Sequence, residues 1–184
     1  FARWTRRVWV ARSYAVWLTS TSSIEPLFMY EFSRAIRASS PVPITMIASR
    51  SFVENGTPTL GEKRLVLDSR DLPFHCTLES QNFRPPDESE LTFSAYGHQG
   101  TDVCGIDLET KKVVNYSNAP NQYDEPEGIF PDGQSTLVEC DKQNHQGSGY
   151  VDLWRLWLDG KGDHIQRLTF FSDVEGYKAS NPVV

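Results

Sequence analysis

The chain contains no run of 18 apolar residues, so no membrane-spanning helix is expected from it. Cysteine is scarce. Cys76, Cys104 and Cys140 are odd in number, and their spacings of 28 and 36 residues fit no common zinc or redox pattern. Cys104 and Cys140 fall in expected strands, where a free thiol behaves as a small apolar residue. Basic residues are outnumbered, 18 Lys and Arg against 24 Asp and Glu, giving a net charge of −6. That deficit argues against a phosphate-backbone partner, because nucleic-acid affinity rests on Lys and Arg. There is no glycine-rich phosphate loop, and no serine stands in a Gly-x-Ser-x-Gly setting. Any hydrolase domain associated with this chain is therefore expected outside these residues.

The charge that is present is unevenly placed. Residues 1–42 hold Arg3, Arg6, Arg7, Arg12, Arg34 and Arg37 against only Glu25 and Glu31, a surplus of +4 that leaves −10 for the rest. This Arg- and Ser-rich stretch has an apolar middle interrupted by Arg12 and shows no repeat. It reads either as a targeting peptide or as an amphipathic segment packing on the remainder. Within it, 24–36 is predicted as a helix, capped by Ser22 or Ser23 and followed by Pro41 and Pro43. From Pro43 strand and turn signals take over, so the chain divides into 1–42 and 43–184. Asn55-Gly56-Thr57 and Asn115-Tyr116-Ser117 have the form of glycosylation acceptors, a form that also arises by chance.

One phrase occurs twice. Pro86-Asp87-Glu88-Ser89-Glu90-Leu91-Thr92-Phe93 returns 45 residues later as Pro131-Asp132-Gly133-Gln134-Ser135-Thr136-Leu137-Val138. A period of about 45 residues containing four short strands is the mark of a β-propeller blade. The expected fold is thus all-β, a partial β-propeller of four-stranded antiparallel blades. Strands at 44–48 and 63–67, joined through Asn55-Gly56, form the outer half of an incomplete first blade. The next blade has strands at 77–83, 90–96, 103–108 and 113–116, and the one after at 128–130, 136–140, 153–158 and 165–169. The turns make physical sense: Pro presets φ, Asp bonds back to the backbone, and Gly takes a positive φ. Strand 153–158 is apolar on both faces, which assigns Trp154 and Trp157 to packing between blades rather than to ligand stacking. A ring takes about four to eight blades, and Asn181-Pro182-Val183-Val184 reads as the opening of another. The chain is therefore expected to be a piece of a longer protein, completed by further blades or by another subunit.

Phe130-Pro131-Asp132-Gly133, followed by Asp152-Leu153-Trp154, Leu158-Asp159-Gly160 and Arg167-Leu168-Thr169, resembles the Pro-Asp repeat of the TolB-type propellers. The resemblance covers 77–184 well, 43–70 poorly and 1–42 not at all. The earlier blade departs from it, with Glu88 in place of the turn glycine and Asn115-Tyr116-Ser117 in place of Arg-Leu-Thr. The resemblance implies a scaffold role, often in the bacterial envelope and hence periplasmic or secreted; the expected function is that of a non-catalytic propeller segment binding a protein, small-molecule or saccharide ligand through its loop-rich face. It also implies an enzymatic alternative: the gating propeller of a prolyl-oligopeptidase-like peptidase, or an oligogalacturonate-lyase-like propeller using a metal. One fold hosts many functions, so the sites must decide.

Two loops carry the same triplet, His98-Gln99-Gly100 and His145-Gln146-Gly147, 47 residues apart at equivalent repeat positions. They read either as paired imidazoles for a divalent metal or acidic ligand, or as siblings sharing residues through duplication. The second constellation is Tyr123, Asp124, Glu125 and Glu127, expected in a connection between blades that leads to the channel mouth. Tyr177 occupies the analogous later connection. The candidate ligand-binding residues are therefore His98, Gln99, Tyr123, Asp124, Glu125, Glu127, His145, Gln146 and Tyr177. Carboxylates and tyrosines at a mouth suit a cation, a sugar or a peptide amine, and paired carboxylates suit acid–base chemistry. Acidic loops are also simply solvated in many proteins. No resident cofactor is expected, a divalent metal being the minor reading.

Overall fold

In a computed structural model of the chain, which describes residues 13–14, 17–18, 28–33, 45–97 and 100–184, every long element is a strand. The first sheet contains β1 (Ser13–Tyr14), β2 (Trp17–Leu18), β3 (Phe28–Ser33), β4 (Thr45–Glu54) and β5 (Thr57–Asp68). Its order is β1-β3-β4-β5, with β2 also paired to β3. β4 and β5 make a long hairpin closed by Asn55-Gly56, both at positive φ. Such a two-residue turn matches the twist of the flanking strands. The helix expected over 24–36 is overturned, because Phe28–Ser33 is a strand paired with β4. Phe28, Tyr30 and Phe32 alternate with Met29, Glu31 and Ser33, a strand period, and aromatics favour strands.

Two four-stranded meanders follow. β6 (Thr77–Phe83), β7 (Glu90–Tyr96), β8 (Gly100–Asp107) and β9 (Val113–Asn115) form one. β10 (Gln122–Ile129), β11 (Ser135–Cys140), β12 (Asp152–Trp157) and β13 (Ile165–Arg167) form the other. Pairing within each is antiparallel. The chain is all-β, and these are blades of a partial propeller. They are joined as well as stacked: β8 and β10 run parallel for two residue pairs, Gly100 with Gln122 and Thr101 with Tyr123. Two expected loops shrink as a result. The Gly97 N–H donates to the Gly100 carbonyl at 2.7 Å, strand β8 already begins at Gly100, and 122–127 is strand rather than connection.

Burial follows from stacking. Met46, Val66 and Leu67 of the first sheet pack on Leu78, Leu91 and Phe93 of the first blade. Val103 and Tyr116 of that blade pack with Val138, Cys140 and Leu156 of the next. Cys104 and Cys140 are free and fully buried. Trp154 joins the cluster between blades, whereas Trp157 stacks on His164 at 3.9 Å beside the Arg155 guanidinium.

The same polar latch closes both blades. Asp102 accepts from the Ser117 hydroxyl at 2.9 Å, and that hydroxyl accepts from the Val103 N–H at 3.1 Å. In the next blade Asp152 accepts from the Thr169 hydroxyl at 2.8 Å, which accepts from the Leu153 N–H at 2.9 Å. Asp152 also takes the Phe171 N–H at 2.8 Å and, on its other oxygen, Arg167 and the Ser172 hydroxyl, each at 2.6 Å. Burial opposes ionisation of this carboxyl, but the bonds from Ser172, Arg167, Thr169 and Phe171 outweigh it and hold it below the usual carboxylate range. Asp152→Ala is expected to cost about 3 kcal/mol in chemical denaturation, since it removes the shared acceptor of Arg167, Thr169, Ser172 and the Phe171 N–H at once. A loss below about 1 kcal/mol, the worth of one ordinary hydrogen bond, would refute the latch.

Candidate functional site

β10 alternates between a buried side and a half-buried one. Gln122, Asp124 and Pro126 turn inward, and Tyr123, Glu125 and Glu127 share the opposite face. Opposite them on β11, Glu139 pairs with Glu125 in register. At Glu127 the ladder slips: Pro126 faces Val138 while Gly128 faces Leu137, so Glu127 is the extra residue of a β-bulge. Bulges re-aim side chains, and here the bulge turns Glu127 toward its two acidic neighbours. Carboxylate oxygens of Glu125, Glu127 and Glu139 all lie within 4.8 Å of one another. The bulge is pinned from the neighbouring blade by Asn82, whose side-chain amide donates to the Glu127 carbonyl at 3.2 Å.

The previous blade completes the site. The Tyr96 hydroxyl of β7 lies between Glu79 of β6, at 2.9 Å, and Glu125. The Tyr123 hydroxyl donates to the other Glu125 oxygen. The two tyrosine rings are 6.5 Å apart, tilted at 45°. Burial and then the Glu125 carboxylate push both phenols well above their ordinary range, so they remain donors. On the far side the Asn181 N–H donates to Glu139 at 2.5 Å, and the Lys178 charge also acts on that carboxylate.

These surroundings divide the labour among the acids. Glu125 is oriented on both oxygens by tyrosines. Burial, followed by the charges of Glu139, Glu125 and Glu79, raises Glu127 to about 8. Burial likewise raises Glu139, against the pull of the Asn181 amide. Burial and the neighbouring acids favour the protonated form of Glu127 beside Glu139. The three acids thus offer a tight oxygen cage that can exchange a proton for a cation.

Of the residues singled out in the sequence, the structure brings together Tyr123, Glu125 and Glu127. Asp124 lies on the other face, fully buried, accepting from the Gln122 side chain at 3.1 Å. Burial raises its carboxyl to about 6. His145 and Gln146 are exposed on the 141–149 connection, the His145 ring nitrogen lying 3.4 Å from the Asn121 carbonyl and the Gln146 N–H donating to Asn144 at 3.1 Å. Tyr177 is exposed, its N–H donating to the Val174 carbonyl. No described contact joins these three to the acidic cluster. His98 and Gln99 lie outside the described residues. Glu79, Tyr96, Glu139 and Asn181 were missed. The sequence signal for Glu139 is a lone acid inside the otherwise apolar strand 136–140; for Glu79 it is an acid at an alternate position of a strand.

No family model matches the sequence, and no curated protein matches it. Among solved structures, the backbone is similar to that of a putative TolB from Agrobacterium tumefaciens, with 17% identity and a TM-score of 0.48 over 79% of this chain and 58% of that one. It is also similar to TolB from Acinetobacter baumannii, with 16% identity and a TM-score of 0.42 over 85% of this chain and 41% of that one. The chain spans less than two thirds of the length of either. The likeness is one of backbone fold.

Proposed function

We propose that the chain is a non-catalytic binding module that receives a cationic group of a protein or small-molecule ligand at the Glu125, Glu127 and Glu139 cage. The observation that supports this reading is the convergence of three carboxylates within 4.8 Å, with two tyrosines fixing one of them. Four glutamates from three strands repel one another, and a cation relieves that repulsion while the proton on Glu127 departs. The outward face of the last blade, where Leu168, Phe170 and Phe171 are exposed, is left for a further blade or another subunit. Tyr116 and Ser117, which occupy the places of Leu168 and Thr169 in the previous blade, are buried under the blade that follows.

Calorimetric titration tests the reading, with calcium, manganese and a primary alkylamine as separate probes. Binding of at least one of them is expected, tightening as the pH rises toward about 8 and releasing a proton. Glu125→Gln and Glu127→Gln should each weaken it about tenfold or more, the usual scale for losing one partner of a desolvated charge contact. No heat from any probe, or affinities indifferent to both substitutions, would sink the proposal.

A further inference from the structure

Asn55-Gly56 is the only Asn-Gly pair in the chain. It forms the turn between β4 and β5, with Asn55 at φ 51° and Gly56 at φ 77°. Six consecutive residues, 53 to 58, are exposed around it. A Cβ placed on Gly56 would meet nothing within 4 Å. Among the described residues, no hydrogen bond is made by the Asn55 side chain. Three other asparagines are held: Asn82 donates to the Glu127 carbonyl, Asn115 accepts from the Asn118 N–H, and Asn144 both accepts from Gln146 and donates to the Tyr150 carbonyl. The Asp-Gly turns of the blades are restrained likewise, Asp132 by the Gln134 N–H and Asp159 by the Lys161 N–H.

We propose that Asn55 is a self-modification site, at which the turn amide converts to a mixture of aspartate and iso-aspartate with water as the sole co-reactant. The backbone nitrogen of Gly56 attacks Cγ of Asn55. A new C–N bond closes a succinimide ring, the bond from Cγ to Nδ2 breaks, and the Gly56 proton leaves with that nitrogen as ammonia. Water then adds to one of the two ring carbonyls. Opening at one carbonyl gives aspartate; opening at the other gives iso-aspartate, with the main chain rerouted through the side-chain carbon. The attack requires the turn to open briefly. A turn at the exposed end of a hairpin opens at little cost, because few contacts are broken, and a residue without a side chain leaves the attacking nitrogen uncrowded.

Two consequences follow for the hairpin. The product adds a negative charge next to Glu54, which is itself exposed. Iso-aspartate also lengthens the main chain inside a two-residue turn, and loop length sets hairpin register. The pairs Glu54 with Thr57 and Val53 with Pro58 are therefore the first to be lost.

The test follows the full chain through incubation at mildly alkaline pH, in buffer and in denaturant, by peptide mapping and by enzymatic methylation of iso-aspartate. Asn55 is expected to convert before every other asparagine, with iso-aspartate among the products. Its folded-state rate should lie within about tenfold of the rate in denaturant, as expected for a segment that opens locally. Gly56→Ala should slow conversion in denaturant as well as in buffer, which separates crowding of the nitrogen from any change in the turn. Earlier conversion of another asparagine, protection of Asn55 by more than about tenfold relative to the denatured chain, or an unchanged rate in Gly56→Ala would each overturn the proposal.

Discussion

Replacing Gly133 with alanine is expected to destabilise the protein by about 3 kcal/mol, seen as a fall in Tm of roughly 10 °C for a chain of this size. Gly133 sits in the Pro-Asp turn of the second blade at φ 68°. A Cβ there would stand 2.1 Å from the Pro85 carbonyl oxygen, in the equivalent turn of the first blade. The obstacle is main chain, so no side chain can swing aside. The carbonyl of Gly133 is also fixed, accepting from Arg84 Nε at 2.6 Å, while the same guanidinium reaches the Tyr116 hydroxyl at 3.0 Å. Gly147→Ala is the matched control. It has φ 80°, but a Cβ there meets nothing within 4 Å. Its cost should be the conformational one alone, about 1–2 kcal/mol. The difference between the two variants isolates the close approach of one blade to the next, and equal losses would show that this approach contributes nothing.

Glu127→Gln is expected to flatten a pH trend. The folded chain holds the Glu127 proton up to about pH 8, whereas an unfolded glutamate releases it near its ordinary value of 4.5. Between those values the folded state binds more protons, so its stability falls as the pH rises. Asp124, raised to about 6 by burial, adds a smaller decline of the same sense. Asp152 works the other way: its lowered pKa contributes stability above the ordinary aspartate range that disappears in acid. The natural protein should therefore be most stable near the ordinary carboxylate range, about pH 4–5, and lose stability from there toward pH 8. Glutamine cannot ionise, so the variant should gain about 2 kcal/mol at pH 8, a figure reduced from the ideal linkage value because Glu127 is only half-buried. Urea melts at acidic and alkaline pH check this, and parallel slopes for the two proteins would contradict it. The same variant should bind cations more weakly, a combination of gained stability and lost affinity expected of a functional site.

Strand placement was most legible where turn chemistry was strongest. β6 and β7 fall at 77–83 and 90–96 as read, because Pro86-Asp87 between them leaves little choice of corner. β10 was misread over most of its length. Pro126 and Gly128 are poor strand residues, and a strand whose inward side chains are Gln122 and Asp124 has no hydrophobic stripe to reveal it. Its inward polar groups satisfy each other, Gln122 donating to Asp124 along the same strand, which periodicity does not register. Once 122–129 is a strand, the shared face of Tyr123, Glu125 and Glu127 follows at once. The bulge at Glu127 does not follow, because it depends on how β10 meets β11. Tyr96 and Glu79 belong to the other blade, and only tertiary stacking brings them to Glu125. The segment 28–33 shows the reverse case, where apolar residues at mixed spacing suggested a helix and a simple alternation was overlooked.

The free edge of β8 serves two masters: Cys104 to Ile106 pair with β9, and Gly100 and Thr101 pair with β10. A repeat protein whose modules merely lean on one another can shed them one at a time, like coins from a stack. Here the seam is stitched through the main chain, so peeling away the later module leaves unpaired amides on the earlier one. Melting should then spread across the seam rather than stop at it, and the pair would behave as a single thermodynamic unit.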